Sequence, residues 1–147
     1  MSINTAAGEK LAVVGAINPA TIANTEIFST VVDMSKWHQL LGVAMLGNMA
    51  AETIDFKAYS CNSDGSSSVA LKSCTQLAAN AATNDNTQLV ISMRAGDLLA
   101  SGKQYVRFGL VTGGATGGPA AVLALGVDAR YQPGSDGDLA SVQQIKL

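Results

Sequence analysis

The only histidine in the sequence, His38, is the side chain that acid–base or nucleophilic catalysis would most readily use. Asp33 and Ser35 lie close to it and supply the other residue types of a Ser–His–Asp triad. Neighbours of these types occur in many chains, however, and His38 directly follows Trp37 within a strongly apolar stretch. We therefore expect a half-buried structural histidine, and we predict that the chain is not an enzyme.

A glycine-rich segment at residues 111–118 reads Val-Thr-Gly-Gly-Ala-Thr-Gly-Gly and follows a predicted strand. Such loops can bind phosphate because their backbone N–H groups are accessible. A P-loop also needs Gly-Lys-Ser/Thr, yet no Lys or Arg occurs between Arg107 and Arg130. A dinucleotide-binding fingerprint opens a longer βαβ unit than the remaining chain allows. We therefore expect a flexible connecting loop and predict no cofactor.

Acidic residues in the predicted turns offer oxygen ligands for a metal ion. Asp136 and Asp138 flank a glycine, but the spacing and distal Glu of a calcium loop are missing. Glu52 and Asp55 could form a glycosidase-like pair of carboxylates, although no other feature supports that interpretation. One histidine and two cysteines are too few for the common zinc sites. We predict no metal, and we assign the aspartates to turn formation.

The two cysteines, Cys61 and Cys74, flank a turn-rich segment at residues 62–68. A hairpin that is symmetric about this segment would bring them close enough for a disulfide. Free thiols in a reducing compartment are the favoured interpretation. Whether the 62–68 or 112–118 loop binds a ligand stays open.

The composition indicates surface contacts rather than reactive groups. The chain has 147 residues, the size of one domain, with 9 basic and 11 acidic residues and a net charge of -2, so it lacks the basic surface of a nucleic-acid binder. No apolar run is long enough to span a membrane, and the first residues do not form a signal peptide, so we expect the chain to be cytosolic when it is made. Charged residues are only 14%, which favours association with other surfaces.

Alternating apolar residues predict strands at 53–61, 87–93, 103–112 and 121–131, the last with Leu123, Leu125 and Val127 on one face. Segments 26–32 and 37–46 are apolar on both faces, which predicts central strands covered on both sides. An early strand at 10–16 and a short helix at 95–100 are also expected, while a helix over 119–128 remains an alternative.

Seven or eight such strands predict an all-β chain, with residues 1–147 forming a single domain. The expected fold is an antiparallel β-sandwich, for which a jelly roll is one arrangement. The polar ends at residues 1–8 and 133–147 are predicted to be extended arms.

Residues 102–133 resemble the C-terminal half of small structural proteins encoded among phage and prophage head genes. In that family a strand carrying tyrosine, valine and arginine leads through a loop to an aliphatic strand that ends in an arginine and an aromatic residue. Residues 55–65 resemble the family's hairpin, and the resemblance covers most of residues 25–132. It implies a capsid decoration (cement) protein, a β-sandwich without catalytic residues that binds the outer capsid lattice, often as a trimer.

This resemblance implies the major capsid protein lattice and further copies of the chain as partners, with a trimer favoured, no nucleic acid and no membrane. The location would be the capsid exterior of the virion. Alternatives are another virion part, such as a head–tail joining or tail protein, and a small carbohydrate-binding sandwich, which would need a patch of exposed aromatic rings. The predicted contact residues lie in the arms and at exposed strand positions: Ser2, Ile3, Asn4, Thr5, Tyr105, Arg107, Arg130, Tyr131, Val142, Ile145 and Leu147. A solvated polar face is the plain alternative for Tyr105, Arg107, Arg130 and Tyr131.

Overall fold

The computed structural model describes residues 6–131 and 133–146. For residues 81 and 82, within the first of these ranges, it describes the backbone only. The predicted contact residues Ser2, Ile3, Asn4, Thr5 and Leu147 therefore lie outside the described residues. The strands are β1 (Leu11–Ile22), β2 (Glu26–Phe28), β3 (Val32–Asp33), β4 (Trp37–Leu46), β5 (Ile54–Cys61), β6 (Val69–Ser73), β7 (Gln88–Arg94), β8 (Tyr105–Thr112) and β9 (Gly118–Ala129). Short helices are α1 (Ala7–Lys10), α2 (Ala81–Asn84) and two 3-10 helices at Ala95–Ser101 and Gly134–Gly137. None of these helices has the length and apolar character needed to cross a bilayer.

The strands form two antiparallel sheets that pack as a β-sandwich, as the alternation predicts. The first sheet has the order β1-β9-β4-β7, and the second has the order β2-β8-β5-β6. The two-residue strand β3 pairs with β8 beyond the end of β2, so β2 and β3 share one edge. With β3 set aside, the remaining eight strands have the order of a jelly roll, 1-8-3-6 and 2-7-4-5.

The core lies between the sheets and is built from the inner faces of the alternating strands. Ile54, Phe56 and Ala58 on β5 are fully buried, as are Val106, Phe108 and Leu110 on β8. The Phe56 and Phe108 rings stack with their centroids 5.6 Å apart. Side chains from the first sheet complete this core, among them Leu40, Ile91 and Met93. The core thus follows the period-two pattern of the sequence.

Two segments that are apolar on both faces occupy less buried positions than the sequence predicts. The 26–32 segment was expected to be a central strand, but β2 lies at an edge of the second sheet and is half-buried. The 37–46 segment does form a central strand, β4, yet only one of its faces is covered: Leu40 is fully buried, whereas Met45 is 54% exposed. Apolar character on both faces therefore does not mean here that both faces are covered.

Strand β9 also carries apolar residues on both faces, although only one face is covered by the core. A helix over residues 119–128 is ruled out by its pairing with β1 and β4. Its buried face carries the small residues Ala120, Val122 and Ala124, whereas the larger Leu123 points outward and is 38% exposed.

The expected short helix before Gly102 is present as the 3-10 helix Ala95–Ser101. It ends where Gly102 adopts a left-handed conformation with φ of 64°.

Both cysteines are free thiols, which is the interpretation that the sequence analysis favours. The register of the hairpin keeps them apart. Lys57 pairs with Ser73, and the Cys74 N–H donates to the Phe56 carbonyl. Cys74 is therefore level with Phe56, five residues along β5 from Cys61, a distance of roughly 16 Å at the rise of a strand. Burial raises the pKa of both thiols.

Candidate interaction surfaces

The outer face of the second sheet carries a cluster of polar and aromatic side chains that satisfy one another. The Tyr59 hydroxyl donates to Oε1 of Glu26 at 2.5 Å, and the Tyr59 ring meets Phe28 edge-on at 5.6 Å. Arg107 lies over the Phe28 ring, with its Cζ 3.6 Å from the ring centroid. Burial, together with the hydrogen bond to Glu26, raises the pKa of Tyr59. The side chains of this cluster therefore contact mainly one another.

Arg107 and Tyr105 were predicted to be exposed contact residues, and the structure places both half-buried on β8. The Arg107 Nε donates to the Ser68 hydroxyl at 3.0 Å, and the nearby Lys103 ammonium donates to the Ser67 carbonyl. The serine-rich 62–68 loop thus folds back over this end of β8. The sequence could not anticipate this, because the loop is about 40 residues from Arg107 along the chain.

Arg130 and Tyr131 are exposed, as predicted, and they lie at one end of the sandwich just beyond β9. Tyr131 is 81% exposed, and Leu99 on the first 3-10 helix is 85% exposed. Two open grooves adjoin at Ser35: one of about 470 Å³ that includes Leu99 and Arg130, and one of about 290 Å³ that includes Tyr131. We call this surface the Leu99–Tyr131 end; its other lining residues include Met34, Lys36, Ala95, Leu98, Lys103 and Gln104.

The C-terminal tail was predicted to be a free arm over residues 133–147, but its first part is docked on β1. The Asp138 carboxylate accepts the Val13 N–H at 2.5 Å, and the Leu139 N–H donates to the Val13 carbonyl at 2.8 Å. These bonds cover part of an otherwise open strand edge. Of the predicted contact residues here, Val142 is half-buried and Ile145 is 47% exposed. Val142 and Ile145 line a groove together with Val13 and Leu125, so the tail stays beside β1 and β9 up to its last described residues.

The glycine-rich loop between β8 and β9 donates backbone hydrogen bonds to a carboxylate of the same chain, that of Glu52. The Glu52 carboxylate accepts the Thr116 N–H at 2.7 Å and the Gly117 N–H at 2.8 Å. Gly117 has φ of 62°, and a Cβ there would lie 1.8 Å from the Ile22 carbonyl oxygen. The expected flexible connection is therefore held by specific bonds, and Glu52 is engaged in the loop rather than paired with Asp55 as a catalytic carboxylate.

The middle of the outer face of the first sheet is apolar, whereas Gln88, Ser92 and Arg94 on β7 make its edge polar. Val43 on β4 pairs with Val90 on β7 and with Leu123 on β9, and Leu123 pairs in turn with Ala16 on β1. Val90 is 56% exposed. The neighbouring rows add further apolar side chains, and we call the whole set the apolar face: Val13, Ala16, Leu41, Val43, Met45, Val90, Ala121, Leu123 and Leu125. Sequence reasoning missed this face, because the outward direction of Leu123 and Leu125 follows only from the folded sheet.

The residues first considered for catalysis have separate surroundings in the structure. His38 is exposed on β4 rather than half-buried, although Trp37 beside it is only 3% exposed. Asp33 accepts the Ser35 N–H at 2.9 Å and the Gln104 side-chain amide at 2.8 Å. Over residues 6–131 and 133–146, no three His, Cys, Asp or Glu side chains are arranged to hold a metal ion.

Comparison with known proteins finds similarity only among solved structures. No protein-family model and no curated protein matches the chain. The SPBc2 prophage-derived protein YomS is 14% identical, with a TM-score of 0.49 over 80% of this chain and 92% of that chain. A Bacillus endospore appendage that forms disulfide-linked pili is 11% identical, with a TM-score of 0.45 over 85% and 94%. The VP2 subviral particle of infectious bursal disease virus is 12% identical, with a TM-score of 0.49 over 86% and 34%. These similarities concern the β fold alone.

Proposed function

We propose that this chain is a structural protein of a phage virion, and specifically a decoration protein that binds the outer capsid lattice and stabilises the head. The sequence resemblance of residues 102–133 to proteins encoded among phage head genes motivates the proposal. One structural observation carries it further: the strand β9 that bears this resemblance is followed directly by an exposed arginine and an exposed aromatic residue, Arg130 and Tyr131, at the Leu99–Tyr131 end.

The Leu99–Tyr131 end has the physical make-up of a protein contact. Leu99 and Tyr131 are large apolar side chains that are exposed by 85% and 81%, and such residues bury substantial area when a partner covers them. Among the described residues lining the larger groove, Lys103 and Arg130 are cationic and none is acidic. A coat-protein surface that offers an apolar side chain beside a carboxylate would complement this groove.

Self-association is the second part of the proposal. The chain would occupy the lattice as a homo-oligomer, with a trimer favoured by the family resemblance. Repeated copies on a lattice gain avidity, so each individual contact can be weak and still give full occupancy. The predicted contact residues of the two termini, Ser2, Ile3, Asn4, Thr5, Val142, Ile145 and Leu147, stay proposed contacts alongside the Leu99–Tyr131 end.

Co-sedimentation of the purified chain with heads that lack it tests the proposal. We expect saturable binding by the wild-type chain, and at least tenfold weaker binding by Tyr131→Ala and by Arg130→Glu. Gln88→Glu is the matched control, because Gln88 is exposed at the start of β7, whereas the 3-10 helix that carries Leu99 follows the opposite end of that strand. Equal binding by all variants would reject the Leu99–Tyr131 end as the contact, and failure of the wild-type chain to bind heads would reject the decoration role.

Two other functions remain distinguishable by experiment. A head–tail joining or tail protein would be found at the neck or tail of intact particles rather than on the head. A carbohydrate-binding module would bind glycans through exposed rings, and Tyr131 is the largely exposed ring among the described aromatic residues. Glycan binding that Tyr131→Ala abolishes, without any binding to heads, would favour that alternative.

A further inference from the structure

We infer that the Leu99–Tyr131 end binds an extended, acidic segment of the partner polypeptide. This inference rests on the proposed function, because the segment would belong to the coat protein, and it deepens that function by naming the chemistry that this end recognises. Three features of the described residues support it: a row of adjoining grooves, an excess of cations over carboxylates, and buried apolar side chains beneath large exposed ones.

A third groove extends this end beyond the two grooves that adjoin at Ser35. It has a volume of about 390 Å³, shares Gly102 and Lys103 with the larger groove, and reaches Asn62 in the serine-rich loop. We call the three together the end grooves. They follow one another across the end of the sandwich, from Tyr131 on one side to Asn62 on the other.

The pairing of the strands gives the length of this row of grooves. Asp33, Tyr105 and Cys61 are neighbours across β3, β8 and β5, so the first and the last of them are about 10 Å apart. Tyr131 follows Ala129, the last residue of β9, in the other sheet, and stacked sheets are also about 10 Å apart. The end grooves therefore span roughly 20 Å, which is the length of about six residues of extended chain.

Cations outnumber carboxylates in the end grooves. Lys36, Lys103 and Arg130 line them, together with one acidic residue, Asp136. Over the described part of the chain, none of these three cations lies within ion-pairing distance of a carboxylate. The Lys103 ammonium donates to the Ser67 carbonyl, which is neutral and leaves the charge uncompensated. Because the whole chain has a net charge of -2, this positive excess is local, and it favours an acidic partner.

Two carboxylates on neighbouring segments are engaged within the chain. Asp33 accepts the Ser35 N–H and the Gln104 side-chain amide. Asp97, on the 3-10 helix, is paired with the Lys72 ammonium at 2.7 Å. Neither carboxylate forms an ion pair with Arg130, so the guanidinium is available to a carboxylate from outside the chain.

Buried apolar side chains contribute to the larger groove. Met34 and Leu98 line it and are 2% and 5% exposed, whereas Leu99 beside them is 85% exposed. Successive side chains of an extended chain point to opposite sides. A segment in which apolar and acidic residues alternate would therefore present apolar groups to Leu99 and Tyr131, and carboxylates to the cations. Such alternation is the pattern that we expect in the partner segment.

Binding of synthetic peptides tests the recognised chemistry without heads. The probe is a fluorophore-labelled hexapeptide of alternating Asp and Leu, compared by anisotropy with the same peptide carrying Lys in place of Asp. We expect the acidic peptide to bind about tenfold more tightly, and Arg130→Gln to weaken its binding severalfold. Gln88→Glu also lowers the net charge by one, at the start of β7, and should bind like the wild-type chain. Equal affinity of the wild-type chain for the two peptides would overturn the inference.

Carbodiimide cross-linking of the chain on heads tests the partner. The reagent joins an amine to a carboxylate in contact with it, with loss of water, so Lys36 and Lys103 should link to coat-protein carboxylates within one short segment. Lys57 is the control, because it lies about 13 Å along β5 from Cys61 and should form no such link.

The outcomes separate this inference from the proposed function. Heads that bind the chain without links from Lys36 and Lys103, or with links scattered over the coat protein, would overturn the inference and leave the decoration role intact. Links from these lysines to a second copy of the chain, formed without heads, would also overturn it. A chain that prefers the acidic peptide but never binds heads would reject the decoration role and leave the acidic recognition supported.

Discussion

The carboxylate of Glu52 accepts the backbone N–H of Gly117 at 2.8 Å, across 65 residues of sequence. This bond, with the one from Thr116, ties the segment before β5 to the loop before β9. Because the acceptor is ionised, such bonds are stronger than bonds between neutral groups. The loop therefore depends on a side chain that no local pattern connects to it.

Removing this carboxylate should destabilise the protein. We expect Glu52→Ala to lower the free energy of unfolding by roughly 1–2 kcal/mol, because two backbone donors lose their acceptor. Urea denaturation measures the change, and hydrogen exchange at the Thr116 and Gly117 amides should accelerate. Glu52→Gln keeps one carbonyl acceptor and should fall between the two proteins. Unchanged exchange in Glu52→Ala would show that the carboxylate does not hold the loop.

Gly117 should be intolerant of any side chain. Its φ of 62° disfavours other residues, and a Cβ would lie 1.8 Å from the Ile22 oxygen, so Gly117→Ala should cost more than about 2 kcal/mol. Gly96 offers a matched control, because no atom lies within 4 Å of a Cβ placed there. We expect Gly96→Ala to be neutral or to stabilise by up to about 1 kcal/mol. Thermal unfolding of both variants checks the contrast, and equal effects would contradict it.

Acid should weaken the protein partly through Asp97. The Lys72 ammonium, 2.7 Å from its carboxylate, and the Arg94 N–H lower the pKa of Asp97. A carboxyl whose pKa is lower in the folded state stabilises the fold above its unfolded pKa, and this contribution is lost as the pH falls through the folded pKa. Asp97→Asn should therefore lose about 1 kcal/mol at pH 7 and show a flatter loss of stability below pH 4. Parallel pH profiles for both proteins would contradict this assignment.

The thiols should react slowly and in a fixed order. Burial raises the pKa of both cysteines, so little reactive thiolate is present at neutral pH. Cys74 is half-buried and Cys61 is fully buried, so alkylation followed by mass spectrometry should label Cys74 first. A Cys61–Cys74 disulfide formed by the native protein under mild oxidation would contradict the hairpin register.

Alternation in the sequence predicts most of the strands and the faces of β5, β7 and β8, because a period of two is a local property of a half-buried strand. It does not predict what covers a face. β4 is apolar on both sides, yet only one side meets the core, and on β9 the small residue Ala124 faces inward while Leu123 faces outward. Close packing against the second sheet accounts for the small inward residues.

The candidate surfaces were predictable only in part. Arg130 and Tyr131 follow the end of a strand, so their exposure is readable from the pattern. The half-burial of Arg107 depends on the 62–68 loop, and the docking of the tail depends on Asp138 meeting Val13 across 125 residues. Such contacts are set by the tertiary fold, and spacing along the chain does not encode them.

Cryo-electron microscopy of virions assembled from the genome that encodes this chain is the most direct test of the decoration role. Our account predicts density for the chain at repeated positions on the outside of the head, with the Leu99–Tyr131 end against the coat. In particles made without the chain, that density should be missing. Heads that carry no such density in the presence of the chain, or density confined to the neck or tail, would contradict the proposed function.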